Sequence, residues 1–301
     1  MTIVIIILTI VIVLVIIANI FYNTAIVKPK KLKPHESEII NKTIDQYKEW
    51  WKEQDFQEVT ITSDDGLKLV AYYLKASNTS DKTVIFAHGH KSKAEEVGCF
   101  AEYYLSKGFN VFIPDSRTYG KSMGNVLGMG WLERLDYKLW INKVIELSVP
   151  NVKILLHGIS MGGSIVMMVS GEELPENVKC IIEDSGYSNI RDVYKSQLKL
   201  HYGLPSFPII QIANLICKLR AGYYFSDADP LEQISKSNLP ILFIHGKKDT
   251  KIPVSMACDL YENYKNDKEL LIVKNAKHAE GFFVNKEKYI NAVEKFYERY
   301  V

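Results

Sequence analysis

The chain has 301 residues, 47% of them hydrophobic and 24% charged, with 37 basic against 35 acidic side chains for a net charge of +2. That usage belongs to a globular protein with room for one large core, and it excludes disordered, collagen-like and mucin-like chains. The balanced charge offers no overall field to draw in a nucleic acid, and the cysteines at 99, 180, 217 and 258 form no C-x-x-C pair or Cys/His ligand spacing. They read as buried thiols, with neither a disulfide framework nor a metal site implied.

No Asp, Glu, Lys or Arg occurs from Met1 to Val27, and within residues 1–22 only Thr2, Thr9 and Asn19 are polar. A helix of ~20 such residues, at ~1.5 Å per residue, covers the ~30 Å hydrocarbon layer of a bilayer. No basic side chain precedes the run, and Ile20-Phe21-Tyr22 is a poor cleavage neighbourhood, so an uncleaved transmembrane anchor over 1–27 is expected rather than a signal peptide. Lys28, Lys30, Lys31 and Lys33, interleaved with Pro29 and Pro34, then predict a basic linker. Ile40, Ile44, Tyr47, Trp50 and Trp51 predict a connecting helix within 38–55, so that linker and helix together occupy 28–57.

From residue 58 onward, short β-rich runs alternate with helical stretches. Strands are predicted over 59–62, 68–74, 83–87, 110–113, 153–156, 179–182, 240–244 and 270–273, and helices over 95–107, 132–147, 161–170, 254–264 and 286–300. Continuously apolar strands such as Val84-Ile85-Phe86-Ala87 suit a parallel sheet covered on both faces. The stretch at about 187–227 breaks the alternation with aromatic and aliphatic residues and no strand, and reads as an inserted helical cap. The expected body, 58–301, is an open α/β sheet.

Gly158-Ile159-Ser160-Met161-Gly162 matches G-x-S-x-G, a weak pattern alone but weightier in its setting. An apolar strand runs into it and a helix leaves it, the arrangement that exposes a serine on a strained turn. A serine hydroxyl needs a base, and the base an orienting acid, both at the ends of later strands. Asp249 lies just past the strand at 240–244 and His278 five residues past the strand at 270–273, in the required order. Asp184, one strand earlier, is the competing acid. The tail Gly120-Lys121-Ser122 lacks the first glycine of a P-loop, because position 115 is Asp. His88-x-His90 has no further ligand at metal-binding spacing, and no G-x-G-x-x-G sits between a strand and a helix.

With these residues in place, the chain from about residue 58 to its end resembles the α/β-hydrolase superfamily, and with its anchor it resembles membrane-anchored bacterial esterases and lipase-like serine hydrolases. His88-Gly89-His90 is similar to the family's H-G-x oxyanion turn, 115–122 to its D-x-R-G-x-G-x-S loop, and 245–253 to its H-G-x-x-D-x-x-V-P acid turn. Thr118 stands where the family usually has Gly, and Ile252 where it has Val. The resemblance implies an α/β-hydrolase fold with a mostly parallel eight-stranded sheet, helices on both faces and a helical cap. It also implies a Ser160-His278-Asp249 triad, an oxyanion hole from the backbone N–H groups of His90 and Met161, and no metal or cofactor. The expected reaction is cleavage of a small-molecule or lipid ester through an acyl-enzyme. Thioesterase and aminopeptidase-type activities on the same triad, and a non-catalytic binding or scaffold protein on the same fold, are the alternatives. The lysines after the apolar run favour a cytoplasmic body, whereas the resemblance implies display outside, so a single-pass protein is expected with the side left open.

Overall fold

The structure, a computed structural model, describes residues 1–28 and 35–301. Residues 29–34, most of the expected basic linker, lie outside the described residues.

Helix α1 (Thr2–Ala25) is exposed through Val13 and is long and apolar enough to cross a membrane. From Leu14 onward, a stripe of Leu14, Ile17, Ala18, Phe21, Tyr22 and Ala25 turns into the body at helical spacing. The chain beyond it is stitched down: the Leu127 N–H donates to the Ile26 carbonyl at 2.8 Å, and the Lys28 N–H to the Asn125 carbonyl at 2.9 Å. Helix α2 (Glu38–Glu53) buries Ile40, Ile44 and Trp51. The indole of Trp51 packs against Phe56 and Tyr72, each at 5.5 Å, the packing role expected of it.

Among the described residues, eight strands form one sheet in the order β1-β2-β4-β3-β5-β6-β7-β8. They are β1 (Phe56–Thr62), β2 (Lys68–Leu74), β3 (Lys82–Ala87), β4 (Asn110–Pro114), β5 (Lys153–Ile159), β6 (Val178–Asp184), β7 (Ile241–Gly246) and β8 (Lys268–Val273). Strand β2 runs antiparallel to both its neighbours; every pairing from β4 through β8 is parallel. Each strand predicted from its apolar run is present, mostly a residue or more longer than expected. Side chains alternate between two cores, as the two-residue period of a strand requires: Ile85, Phe112, Leu156 and Phe243 face one side, and Val84, Val111, Leu155 and Leu242 the other. The first core takes α4 (Glu133–Leu147), α5 (Met161–Val169), α9 (Val254–Asn263), the cap and the body end of α1. The second takes α2, α3 (Gly98–Ser106), α10 (Gly281–Val284) and α11 (Lys286–Tyr297).

Three details differ from the sequence reading. The helix expected over 95–107 is a 3₁₀ turn, Ala94–Val97, followed by α3. The Asp115 carboxylate accepts from the Ala94 N–H at 2.9 Å, which ties that turn to the sheet. The cap resolves into α6 (Ile190–Tyr202) and α7 (Ile209–Ala221), and α8 (Pro230–Ile234) follows it, capped by the Asp229 side chain. The last helix stops at Tyr297, three residues short of expectation.

Glu183, near the end of β6, is fully buried, with Oε2 accepting from the Gly186 N–H at 2.9 Å. Burial pushes its carboxyl up to about 8, against the opposing pull of His245, so it is protonated at neutral pH. A carboxyl raised on folding holds its proton more tightly in the folded than in the unfolded chain. Its contribution is therefore complete below the ordinary carboxylate range and is lost as pH rises through about 8. Glu183→Gln keeps the acceptor without the titration. Thermal melts should show nearly equal Tm at pH 5 and a Tm several degrees higher for the variant at pH 9. A difference independent of pH would mean that Glu183 is ionised in the folded protein.

Candidate active site

The parallel strands β3, β5, β7 and β8 all end at one edge of the sheet, and the segments that leave them carry His90, Ser160, Asp249 and His278 respectively. Ligands of open α/β sheets bind at this carboxyl edge. Ser160 sits between β5 and α5 with φ 56° and ψ −118°, a conformation that costs a non-glycine residue ~1–3 kcal/mol. The turn closes because its flanks are bare. A Cβ on Gly158 would lie 2.1 Å from the Gly162 carbonyl oxygen, and one on Gly162 would lie 2.0 Å from the carbonyl oxygen of Ala87 in β3.

Ser160 Oγ lies 2.8 Å from His278 Nε2, and His278 Nδ1 donates to Asp249 Oδ2 at 2.6 Å. The other oxygen of Asp249 accepts from the backbone N–H groups of Lys251 (2.8 Å) and Ile252 (2.9 Å). His245 Nε2 lies 3.2 Å from Asp249 Oδ2 and donates to the Ile252 carbonyl at 2.9 Å. Burial alone would raise the Asp249 carboxyl, but the hydrogen bonds from His245 and His278, with the backbone donor of Ile252, hold it well below the ordinary carboxylate range. The chain thus brings a hydroxyl, an imidazole and a permanently ionised carboxylate into one line, the geometry that general-base activation of a serine needs.

Asp184, the competing acid, is turned elsewhere. Its carboxylate accepts from Ser185 Oγ at 2.8 Å and from the Tyr289 hydroxyl at 3.0 Å. That hydroxyl lies 3.1 Å from His157 Nε2, and the Tyr104 hydroxyl 2.7 Å from His157 Nδ1. Burial holds His157 neutral, down to about 3. Asp184 ends a buried structural chain and does not reach His278; its backbone carbonyl accepts the Ser160 N–H at 2.7 Å.

The H-G-x turn packs beside the serine, where a Cβ on Gly89 would touch the Ile159 carbonyl oxygen at 3.4 Å and Ser160 Cβ at 3.5 Å. His90 and Met161 both line the cavity at Ser160, and among the described residues neither backbone N–H donates to a protein acceptor. The ring of His88 is used up within the turn: Nδ1 donates to the Gly89 carbonyl and Nε2 accepts from the Ser116 N–H, each at 2.9 Å. No lone pair remains for a metal, so the His88-x-His90 pair serves the backbone. Thr118 has φ 77°, the left-handed region in which the family's glycine is at ease. The loop carries this strain because Arg117 is buried in a two-pronged contact with Asp136, at 2.8 Å from Nε and from Nη2, and reaches Asp65 at 2.9 Å.

The cavity in front of Ser160 has a volume of about 470 Å³. Ile190, Val193, Tyr194 and Tyr202 wall it from the cap, Ile40 and Ile44 from α2, and Phe21, Thr24 and Ala25 from α1. Nothing local in the amino-acid pattern indicated that residues of α1 and of the connecting helix would meet Ser160. That pattern also left unassigned the contact of His245 with Asp249, although a separation of four residues in a tight turn hinted at it. Ser185 was overlooked as well: its Oγ accepts from the Ala279 N–H at 3.2 Å and so pins the loop that carries His278. Cys99, Cys180 and Cys217 are buried and Cys258 half-buried, all as free thiols.

Comparison with known proteins agrees with this geometry. The prolyl oligopeptidase family model matches residues 100–301. The Bacillus subtilis protein YqkD is 32% identical over 240 residues, 78% of this chain and 77% of its own length. Alpha/beta hydrolase domain-containing protein 17B of Xenopus tropicalis is 24% identical over 75% of this chain and 71% of its own. Among solved structures, the Pyrococcus furiosus esterase Pf2001 aligns with a TM-score of 0.68 at 25% identity, covering 90% of this chain and 98% of that one. The chain therefore belongs to the prolyl oligopeptidase family and is a serine hydrolase on the α/β-hydrolase fold.

Proposed function

We propose that the protein hydrolyses carboxylic esters with an acyl or lipid portion, through an acyl-enzyme on Ser160. The observation that carries this reading is the 2.8 Å and 2.6 Å hydrogen-bond chain from Ser160 through His278 to Asp249, opening into a cavity walled largely by aliphatic and aromatic side chains. His278 takes the serine proton as Oγ attacks the carbonyl carbon, and returns it to the leaving alkoxide as the tetrahedral intermediate collapses. Water then enters, gives its proton to the same imidazole and attacks the acyl carbonyl, which frees the acid and restores Ser160. The N–H groups of His90 and Met161 donate hydrogen bonds to the carbonyl oxygen as negative charge develops on it; one such donor is worth ~3 kcal/mol of barrier. Asp249 keeps the Nδ1 proton in place and stabilises the imidazolium. The esterase Pf2001 supports the reading by its overall likeness. We further propose that α1 spans a membrane and tethers the catalytic body as a single-pass protein, since its 24 apolar-rich residues exceed the hydrocarbon thickness at ~1.5 Å each.

A second reading, cleavage next to a substrate amino group, has one observation in its favour. Glu96 lines the same cavity, 3.6 Å from the His35 ring, where a carboxylate could hold an ammonium. Acyl esters of graded chain length, assayed beside thioesters and aminoacyl anilides, separate the readings: the ester reading expects the highest kcat/KM on acyl esters of medium or long chain.

Ser160→Ala should abolish labelling by a fluorophosphonate probe while leaving the melting temperature near that of the parent; labelling that persists would remove Ser160 from the nucleophile's role. Asp249→Asn should lower kcat by ~10⁴-fold through the wrong histidine tautomer, and Asp184→Asn far less. If the Asp184 variant proves the more damaged, the acid has been misassigned. Because Asp249 stays ionised well into the acid range, its protonation should add nothing to the acid limb of the kcat/KM profile, which should keep a slope of one. A steeper slope would mean that Asp249 protonates in the same range and is not held ionised by its donors.

A further inference from the structure

The span expected of α1 is longer than the part of α1 that is free to span. Residues 2–13 project clear of the body, and 12 residues at ~1.5 Å cover ~18 Å of a ~30 Å hydrocarbon layer. The remaining depth must be crossed by the next two turns, and those turns are packed on the cap: Ala18 and Tyr22 are buried there, and Phe21 meets Tyr194 of α6 edge-on at 5.4 Å. If α1 crosses a bilayer, the cap enters it too.

The cap is built in the orientation this demands. Helix α6 leaves the body beside Phe21, and α7 returns along α1 to end beside the body, where Arg220 donates to Asn19 Oδ1 at 2.7 Å and shares a groove with Lys28 and Asn125. The α6–α7 connection, residues 203–208, is therefore the outermost part of the hairpin, on the side from which the free turns of α1 project. Leu200 is 65% exposed and Phe207 72% exposed there, and Leu215 (53%) and Leu219 (76%), four residues apart on α7, carry an exposed apolar face from the tip back toward the body. Contiguous apolar side chains left in water mark an interaction surface, and here they continue directly from a helix of membrane-spanning composition. Lys199, Lys218 and Arg220 flank the patch, in position to extend toward lipid headgroups.

We propose that the tip of the α6–α7 cap is embedded in one leaflet of the bilayer, so that the cavity at Ser160, walled by Phe21 of α1 and Tyr202 at the end of α6, fills from the lipid phase. The substrate is then an ester whose acyl chain already resides in the membrane. This rests on the reading of α1 as a membrane span and extends the esterase reading to a source of substrate.

The test uses the full chain reconstituted in mixed phosphatidylcholine and phosphatidylglycerol vesicles that carry brominated acyl chains. Tryptophan is introduced by Phe207→Trp or, as a control on the exposed face of α9, by Glu262→Trp, and the fluorescence of the unaltered chain is subtracted. Embedding predicts that the tryptophan at 207 is quenched by bromine and shielded from aqueous acrylamide, while that at 262 behaves in the opposite way. A position 207 open to acrylamide, or shielded from both quenchers as by a second copy of the chain, overturns the proposal. Failure of the chain to stay with the vesicles at high salt would instead overturn the anchor reading, and the proposal with it. In a second arm, Leu200→Glu with Leu219→Glu should cut kcat/KM on a vesicle-embedded ester by about tenfold or more and leave hydrolysis of a short soluble ester unchanged. Equal loss on both esters would argue for a misfolded cap and against lipid-phase entry. If the unaltered chain hydrolyses neither ester, the esterase reading fails, and the quenching arm still decides where the cap lies.

Discussion

The carbonyl oxygen of Ala87 lies 2.0 Å from the point at which a side chain on Gly162 would begin, and the arrangement of the catalytic edge follows from that approach. The first turn of α5 can lie against the end of β3 only because nothing separates the two backbones. This contact sets the distance between the N–H of Met161, at the start of α5, and the N–H of His90, just past β3. It also forces Ser160 into its left-handed conformation, which lifts the hydroxyl off the sheet and toward a histidine 118 residues further along the chain. A helix moved outward by a single methyl group would take the Met161 N–H and the Ser160 hydroxyl with it, whereas the His90 N–H, held at the end of β3, and His278, pinned through Ser185 and Ala279, would stay behind.

Around that edge, three carboxyl groups, two at the end of β6 and one just past β7, meet three different surroundings. Asp249 collects two backbone N–H groups and two imidazoles and stays ionised. Glu183 is buried with a single backbone donor and keeps its proton. Asp184 accepts from a serine and a tyrosine and holds the floor of the site together. The ionised carboxylate thus stands where it meets His278, while Glu183 beneath it, protonated, adds no second anion there.

The sheet was legible in the sequence because its strands are buried on both faces, and unbroken apolar runs such as Ile241 to Ile244 have few other uses in a chain of this length. Ser160, Asp249 and His278 could be singled out because they follow one another in the order that the α/β-hydrolase fold gives its serine, acid and histidine, and because each lies just beyond a strand. What escaped the sequence was contact between segments with no local signature. The apolar run of α1 looks the same on every face, so nothing distinguished Phe21 and Tyr22, which pack on the cap, from Ile5 and Ile6, which do not. The two cap helices merged into one apolar stretch because the break between them is made by Gly203 in a left-handed conformation and by Pro208, ordinary residues for a loop. His245 resembled the other histidines that precede a glycine, His88 and His157, and only the fold of the turn set its ring against Asp249.

The stitching of Ile26 and Lys28 to residues 125–127 makes the junction between anchor and body stiff at this point, since the chain leaving α1 is paired with the body before it can bend. A flexible tether would let the catalytic domain sample a hemisphere of solvent and meet substrates by volume concentration. On the proposed reading of α1 as a membrane span, a rigid junction would keep one face of the domain toward the surface on which it diffuses, and its encounters would become a search in two dimensions. For a substrate of the proposed lipid class, turnover would then follow its mole fraction among the surrounding lipids, so that adding inert lipid at constant substrate would slow hydrolysis although nothing binds to the protein.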